Sequence, residues 1–152
     1  MSVNTSSRLS STIKKLQRSS EAIELLLDDL RTMLEKPASE SNARLVGAVL
    51  DEMGDNLRIQ FELEEEQGYL ADVLEQFPNW HPHVEHLREQ HELLRRQLRE
   101  VKERLAKCDQ NSALSHEICL QLHDWIQTYA EHEQRERRLM QEAFTLEPGA
   151  GE

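Results

Sequence analysis

Two histidines and two glutamates interrupt stripes of apolar residues: Glu64, His91, His132 and Glu136. His132 and Glu136 are spaced i and i+4, so on a helix they stack on one face. The stripe that holds them, stepped by three and four, runs Ile118, Leu122, Trp125, Tyr129, His132, Glu136, Leu139, Ala143. A carboxylate buried there is costly unless it is paired or bound to a cation. Two carboxylates with two imidazoles make a mixed nitrogen and oxygen donor set that suits iron, manganese or zinc. The competing reading is a metal-free polar layer, with Gln60, Ser20 and the histidines satisfying the carboxylates by hydrogen bonds. Spacing alone leaves both open.

Four helical stretches must position these residues. The first is expected from about Ser11 to Lys36, stopped by Pro37, with the stripe Ile13, Leu16, Ser20, Ile23, Leu27, Leu30, Leu34. After a polar link at 37–41, a second helix is expected from about Asn42 to Gln76. It carries two competing stripes, one through Leu50, Met53, Leu57, Gln60 and Glu64, the other through Leu63, Leu70 and Leu74. Gly68 marks a bend or a close approach. Phe77, Pro78 and Asn79 form a turn, and Pro82 opens a third helix with the stripe Val84, Leu87, His91, Leu94, Leu98, Val101, Leu105. A turn over Cys108–Ser112 precedes the fourth helix, which reaches Phe144. The pattern predicts an all-α fold, an up-down-up-down four-helix bundle over 11–146, with a flexible N-terminus at 1–10 and a flexible tail at 147–152.

In such a bundle, distance from a turn sets height along the axis. Glu64 and His91 are about equally far from the Pro78 turn, and His91 and His132 about equally far from Asn111. Ser20 and Gln60 fall near one another by the same measure. The polar breaks therefore gather in one layer, where independent accidents would scatter.

Composition limits the function. The 152 residues carry a formal net charge of −11, which opposes binding to nucleic acid and to anionic membranes. No signal segment or membrane span is visible, and two cysteines build no disulfide framework, so a cytoplasmic setting is expected. His81, His83 and His86 read as a solvated helix start. His116, Cys119 and His123 read as a surface face lying off the buried stripe. Glu62, Glu65 and Glu66 read as an acidic face, one of them available as a supporting or alternative ligand. No phosphate loop or nucleophile elbow is present.

Three segments resemble the hemerythrin-like, or HHE cation-binding, family. They are Gln60 to Glu66, Glu89 to Leu94, and His132-x-x-x-Glu136 running into Leu139 to Phe144. The resemblance implies a four-helix bundle in which two carboxylates bridge two irons and histidines cap each. Two ligand histidines stand replaced, by Ser20 and Gln60. The implied metal ligands are Glu64, His91, His132 and Glu136, holding one iron rather than two. Arg95, one turn after His91, could reach Glu64 or Glu136 and replace a lost metal charge. The resemblance implies a binder or sensor of a small ligand such as oxygen or nitric oxide, or a protein that handles iron, rather than an enzyme. A metal-free interaction or scaffold module is the alternative.

Overall fold

Proline and polar links break the chain where the apolar stripes end. In the computed structural model, which describes residues 2–36, 42–67 and 69–145, the described residues form five α-helices and no strand. These are α1 (Ser2–Glu35), α2 (Ala43–Glu62), α3 (Tyr69–Gln76), α4 (His81–Ala106) and α5 (His116–Thr145). A π-helical turn, Leu63–Gln67, joins α2 to α3, and a 3-10 turn, Pro78–Trp80, leads into α4. The link at 37–41, Gly68 and the tail at 147–152 lie outside the described residues.

Two boundaries differ from expectation. Helix α1 begins at Ser2 and not near Ser11. No proline or glycine interrupts the stretch, and extending a helix already held by packing adds one bond per residue fixed. The single helix expected over 42–76 is instead broken at Leu63. There the backbone widens into a π turn, and the N–H of Leu63 is shared between the Ile59 and Gln60 carbonyls. This explains the two competing stripes. The first, through Leu57, Gln60 and Glu64, belongs to α2 and the start of the π turn. The wide turn then rephases the chain, so that Leu70 of α3 and Phe77 beyond it take over the buried side.

Helix α1 packs on α2, α2 on α4, and α4 on α5, while α3 rests on α4. Among the side chains described, the expected stripes face inward for most of their length, with Leu16 and Leu34 of α1 half-buried. All seven stripe positions of α4 are buried, as are those of α5 from Ile118 through Leu139. On α1 the inward serine is Ser19, where the stripe predicts Ser20. The Ser19 hydroxyl donates to the Asn56 carbonyl at 3.1 Å, while Ser20 stays half-buried. Both serines border the stripe, and the one that finds a backbone acceptor turns in.

The apolar core is in two parts. The larger holds Ile23, Leu27 and Leu30 of α1, Val46 to Phe61 of α2, Leu94 to Leu105 of α4 and Ile118 to Tyr129 of α5. The smaller holds Leu70, Phe77, Trp80, Val84, Leu87 and Leu139. His91 separates the two along α4, and His132 and Glu136 separate them along α5. The indole N–H of Trp125 donates to the Leu94 carbonyl at 2.9 Å, which fixes the height of α5 against α4 close to that division.

The far end is tied by caps. Asn42 accepts from the Leu45 N–H at 2.9 Å. The Ala43 and Arg44 N–H groups donate to the Ser112 and Gln110 carbonyls of the α4–α5 loop. First-turn amides of α2 that no helical carbonyl can reach are thus satisfied by another part of the chain. Asn42→Ala removes the cap and should lower stability by about 1 kcal/mol. Chemical denaturation measures this, with no change expected at the polar layer.

Candidate metal centre

Between the two apolar parts, Gln60, Glu64, His91, His132 and Glu136 are all buried. Glu64 is presented by the π turn, His91 by α4, and His132 with Glu136 by successive turns of α5. His91 Nε2 lies 3.4 Å from Glu64 Oε2 and 3.5 Å from Glu136 Oε1, and His132 Nε2 lies 3.4 Å from Glu136 Oε2. Among the described residues, His91, His132 and Glu136 form a group whose ligand atoms all lie within 4.8 Å of one another. Glu64 joins it through His91. The four residues singled out from the sequence are therefore brought together.

The fit to a cation rests on unpartnered atoms. Glu64 Oε2, His91 Nε2, His132 Nε2 and Glu136 Oε1 are buried and have no hydrogen-bond partner. Buried polar atoms are almost always bonded, so four unmade bonds in one place need an explanation. The separations of 3.4 to 3.5 Å are long for hydrogen bonds. Two ligand atoms each about 2.1 Å from one ion at the tetrahedral angle lie about 3.4 Å apart. The donor set, two imidazoles and two carboxylates, fits a divalent transition metal.

The surroundings hold the rings. Phe61 stacks on His91 with centroids 3.8 Å apart and planes 6° from parallel, and His91 meets His132 edge-on at 4.7 Å. Glu65 Oε1 stands 3.7 Å from His91 Nδ1, the supporting position expected of one member of the acidic run. His132 Nδ1 lies 2.7 Å from Gln90 Oε1. The Gln60 amide donates to Glu64 Oε1 at 3.2 Å and to Glu133 Oε1 at 3.3 Å, tying two carboxylates together on the side away from the imidazoles.

Three participants escape the sequence reading. Glu133, which accepts from the Gln60 amide, and the buried Tyr129 interact with each other, and both lie beside Glu64. Their i and i+4 spacing could have shown them, since Tyr129 was already placed on the inward stripe. Gln90 left no signal, because its partner is on another helix.

Arg95 is a correction. Its guanidinium pairs with Glu92 at 3.9 Å and lines a groove with Arg58, Arg99 and Lys102, so it does not supply the missing charge at Glu64 or Glu136. Leu94 and Leu98 fill the inward side at that level, and Arg95 stays half-buried at its edge. His81, His83, His86, His116 and His123 are exposed, as expected.

Helices packed around a buried cluster of imidazole and carboxylate donors define a candidate cation-binding helical protein. The family model described as "Hemerythrin HHE cation binding domain" matches residues 11–144, and the chain belongs to that family. Comparison with curated proteins and with solved structures finds no significant match. Among the described residues, no helix is long and apolar enough to cross a membrane.

The protons of the metal-free chain stand in for a cation. Burial pushes the Glu64 carboxyl well above the usual carboxylate range, and the charge on Glu136 adds to it. Burial would also raise Glu136, but the His132 and His91 imidazoles beside it outweigh burial and hold Glu136 low. Burial opposes a charge on His91, yet Glu136 and Glu65 raise it on balance. Glu64 and His91 thus bind protons more tightly folded than unfolded. Their contribution to stability is complete below 4.5 for Glu64 and 6.5 for His91, and is lost as pH rises through their raised folded values. Glu136 has the opposite sign, its contribution being lost as pH falls below 4.5. Metal-free protein should be most stable at mildly acidic pH and weaken toward alkaline pH. Denaturation midpoints across a pH series in chelator measure this.

Proposed function

We propose that this chain is an up-down-up-down four-helix bundle that holds one non-haem iron through His91, His132, Glu136 and Glu64. It uses that iron to bind a small ligand such as oxygen or nitric oxide, for sensing or iron handling rather than catalysis. The observation that carries the reading is the convergence of four buried, unpartnered ligand atoms. A ferrous ion held there would supply the affinity for a small neutral ligand. The chain's own residues do the rest. His91 and His132 provide nitrogen donors whose rings are immobilised by Phe61 and by one another. Glu136 presents an oxygen to each imidazole, and its low proton affinity keeps it anionic and ready to ligate. Glu64 completes the set once it gives up its proton. The apolar residues on either side exclude water and strengthen every charge interaction within.

A single ion is favoured because Gln60 already occupies the other side. Its amide nitrogen bridges Glu64 and Glu133, and a neutral amide there leaves no nitrogen donor for a second ion. The net charge of −11 supports a protein without nucleic acid or membrane partners. The two unpaired thiols fit a reducing cytoplasm.

Purified protein from iron-supplemented growth should carry about one metal ion per chain by elemental analysis. His132→Ala should abolish it. Gln60→His, which removes the bridging amide and adds an imidazole, should raise the ratio above that of the unsubstituted chain. Protein that keeps no metal, with His132→Ala indistinguishable, would overturn the reading in favour of a metal-free scaffold.

A further inference from the structure

We infer that Gln90 is a positioning residue that sets the tautomer of His132 and so aims its Nε2 lone pair at the metal position. The inference rests on the proposed metal site and deepens it. Gln90 is half-buried on α4, beside His91, and its side chain crosses to α5. Its Oε1 lies 2.7 Å from His132 Nδ1, closer than the 3.4 Å approach of His132 Nε2 to Glu136. An amide oxygen only accepts, so the proton in that bond belongs to Nδ1. A neutral imidazole has one ring proton. Nε2 is left with its lone pair, facing Glu136 Oε2 at 3.4 Å. Two acceptors then face each other inside the protein, which is unfavourable without a cation and is what a ligand position needs.

The amide's own direction is set from outside. Gln90 Nε2 lies 3.2 Å from His86 Nε2 on the exposed side of the same helix, one turn earlier. The amide therefore donates outward to His86 and accepts inward from His132. Reversed, it would donate to His132 Nδ1 and drive the ring proton to Nε2, between the imidazole and Glu136. That arrangement satisfies Glu136 by a hydrogen bond and blocks the ligand atom. Gln90 thus separates a metal-ready arrangement from a closed one, at the cost of a rotation of its terminal amide. His91 has a weaker counterpart in Glu65, 3.7 Å from its Nδ1. Partners of this kind on metal-bound histidines fix ring orientation and raise donor basicity.

The test compares Gln90→Met, which keeps length and helix propensity but accepts only weakly, with Gln90→Glu, which accepts strongly. Long-range nitrogen–proton NMR spectra of the metal-free protein at mildly alkaline pH report the His132 tautomer. Titration with Co²⁺, read by its visible absorption, reports affinity. The unsubstituted chain and Gln90→Glu should hold the proton on Nδ1 and bind Co²⁺ comparably. Gln90→Met should move the proton to Nε2 and weaken Co²⁺ binding by about 10- to 100-fold. Gln90→Met with an unchanged tautomer and affinity would overturn the inference, as would equal losses in both variants. An unsubstituted chain that binds no Co²⁺ would overturn the metal reading itself. The tautomer comparison needs no metal and still decides the role of Gln90.

Discussion

Two carboxylates facing one imidazole nitrogen inside an apolar core are the constraint on which this structure turns. Glu64 and Glu136 both approach His91 Nε2, and neither can be fully ionised there without a positive charge between them. Burying an uncompensated ion costs several kcal/mol, a large share of the stability of a protein this size. The chain meets the constraint by dividing the charge. Burial raises the Glu64 carboxyl, the neighbouring carboxylates raise His91 against its own burial, and the imidazoles hold Glu136 low. A cation bound among these ligand atoms would resolve the same conflict. Metal binding there would release protons, coupling the two.

The scaffold around the layer is arranged so that the polar atoms do not drift out of it. A large apolar cluster lies on one side and a smaller one on the other, so sliding any helix would move hydrophobic side chains into the polar zone. The Trp125 bond to the Leu94 carbonyl opposes sliding of α5 against α4. Gln60 and Phe61 at the end of α2 and Leu63 and Glu64 in the π turn all point inward from one short segment. Such turns occur often at functional sites because they re-aim side chains without ending the helix.

The two sides of the layer differ in chemistry. On the imidazole side, ring nitrogens and carboxylate oxygens are left without partners. On the other, the Gln60 amide bonds to both Glu64 and Glu133 beside Tyr129, and burial raises Glu133 and Tyr129 as it raises Glu64. Glu64 belongs to both, offering one oxygen to each. The site is therefore asymmetric by composition: a nitrogen-rich half able to take a transition metal, and a hydrogen-bonded half closed by an amide.

Much of this was legible before folding was considered. Helical periodicity places His91 among Val84, Leu87, Leu94 and Leu98, and His132 with Glu136 among Trp125, Tyr129 and Leu139, because burial selects one face every 3.6 residues. Counting from the turns puts them at one height, because rise per residue is constant. The site's composition and approximate level are thus properties of the chain. What the tertiary structure decided is orientation. The π turn resolved which stripe of the second helical stretch faces in. Ser19 was buried in preference to Ser20 because a carbonyl of α2 lay within reach. Arg95 turned to a surface groove, and Gln90 crossed to His132. A hydrogen bond depends on tenths of an ångström and on partners distant in sequence. Periodicity carries neither, and only packing of the helices against one another supplies them.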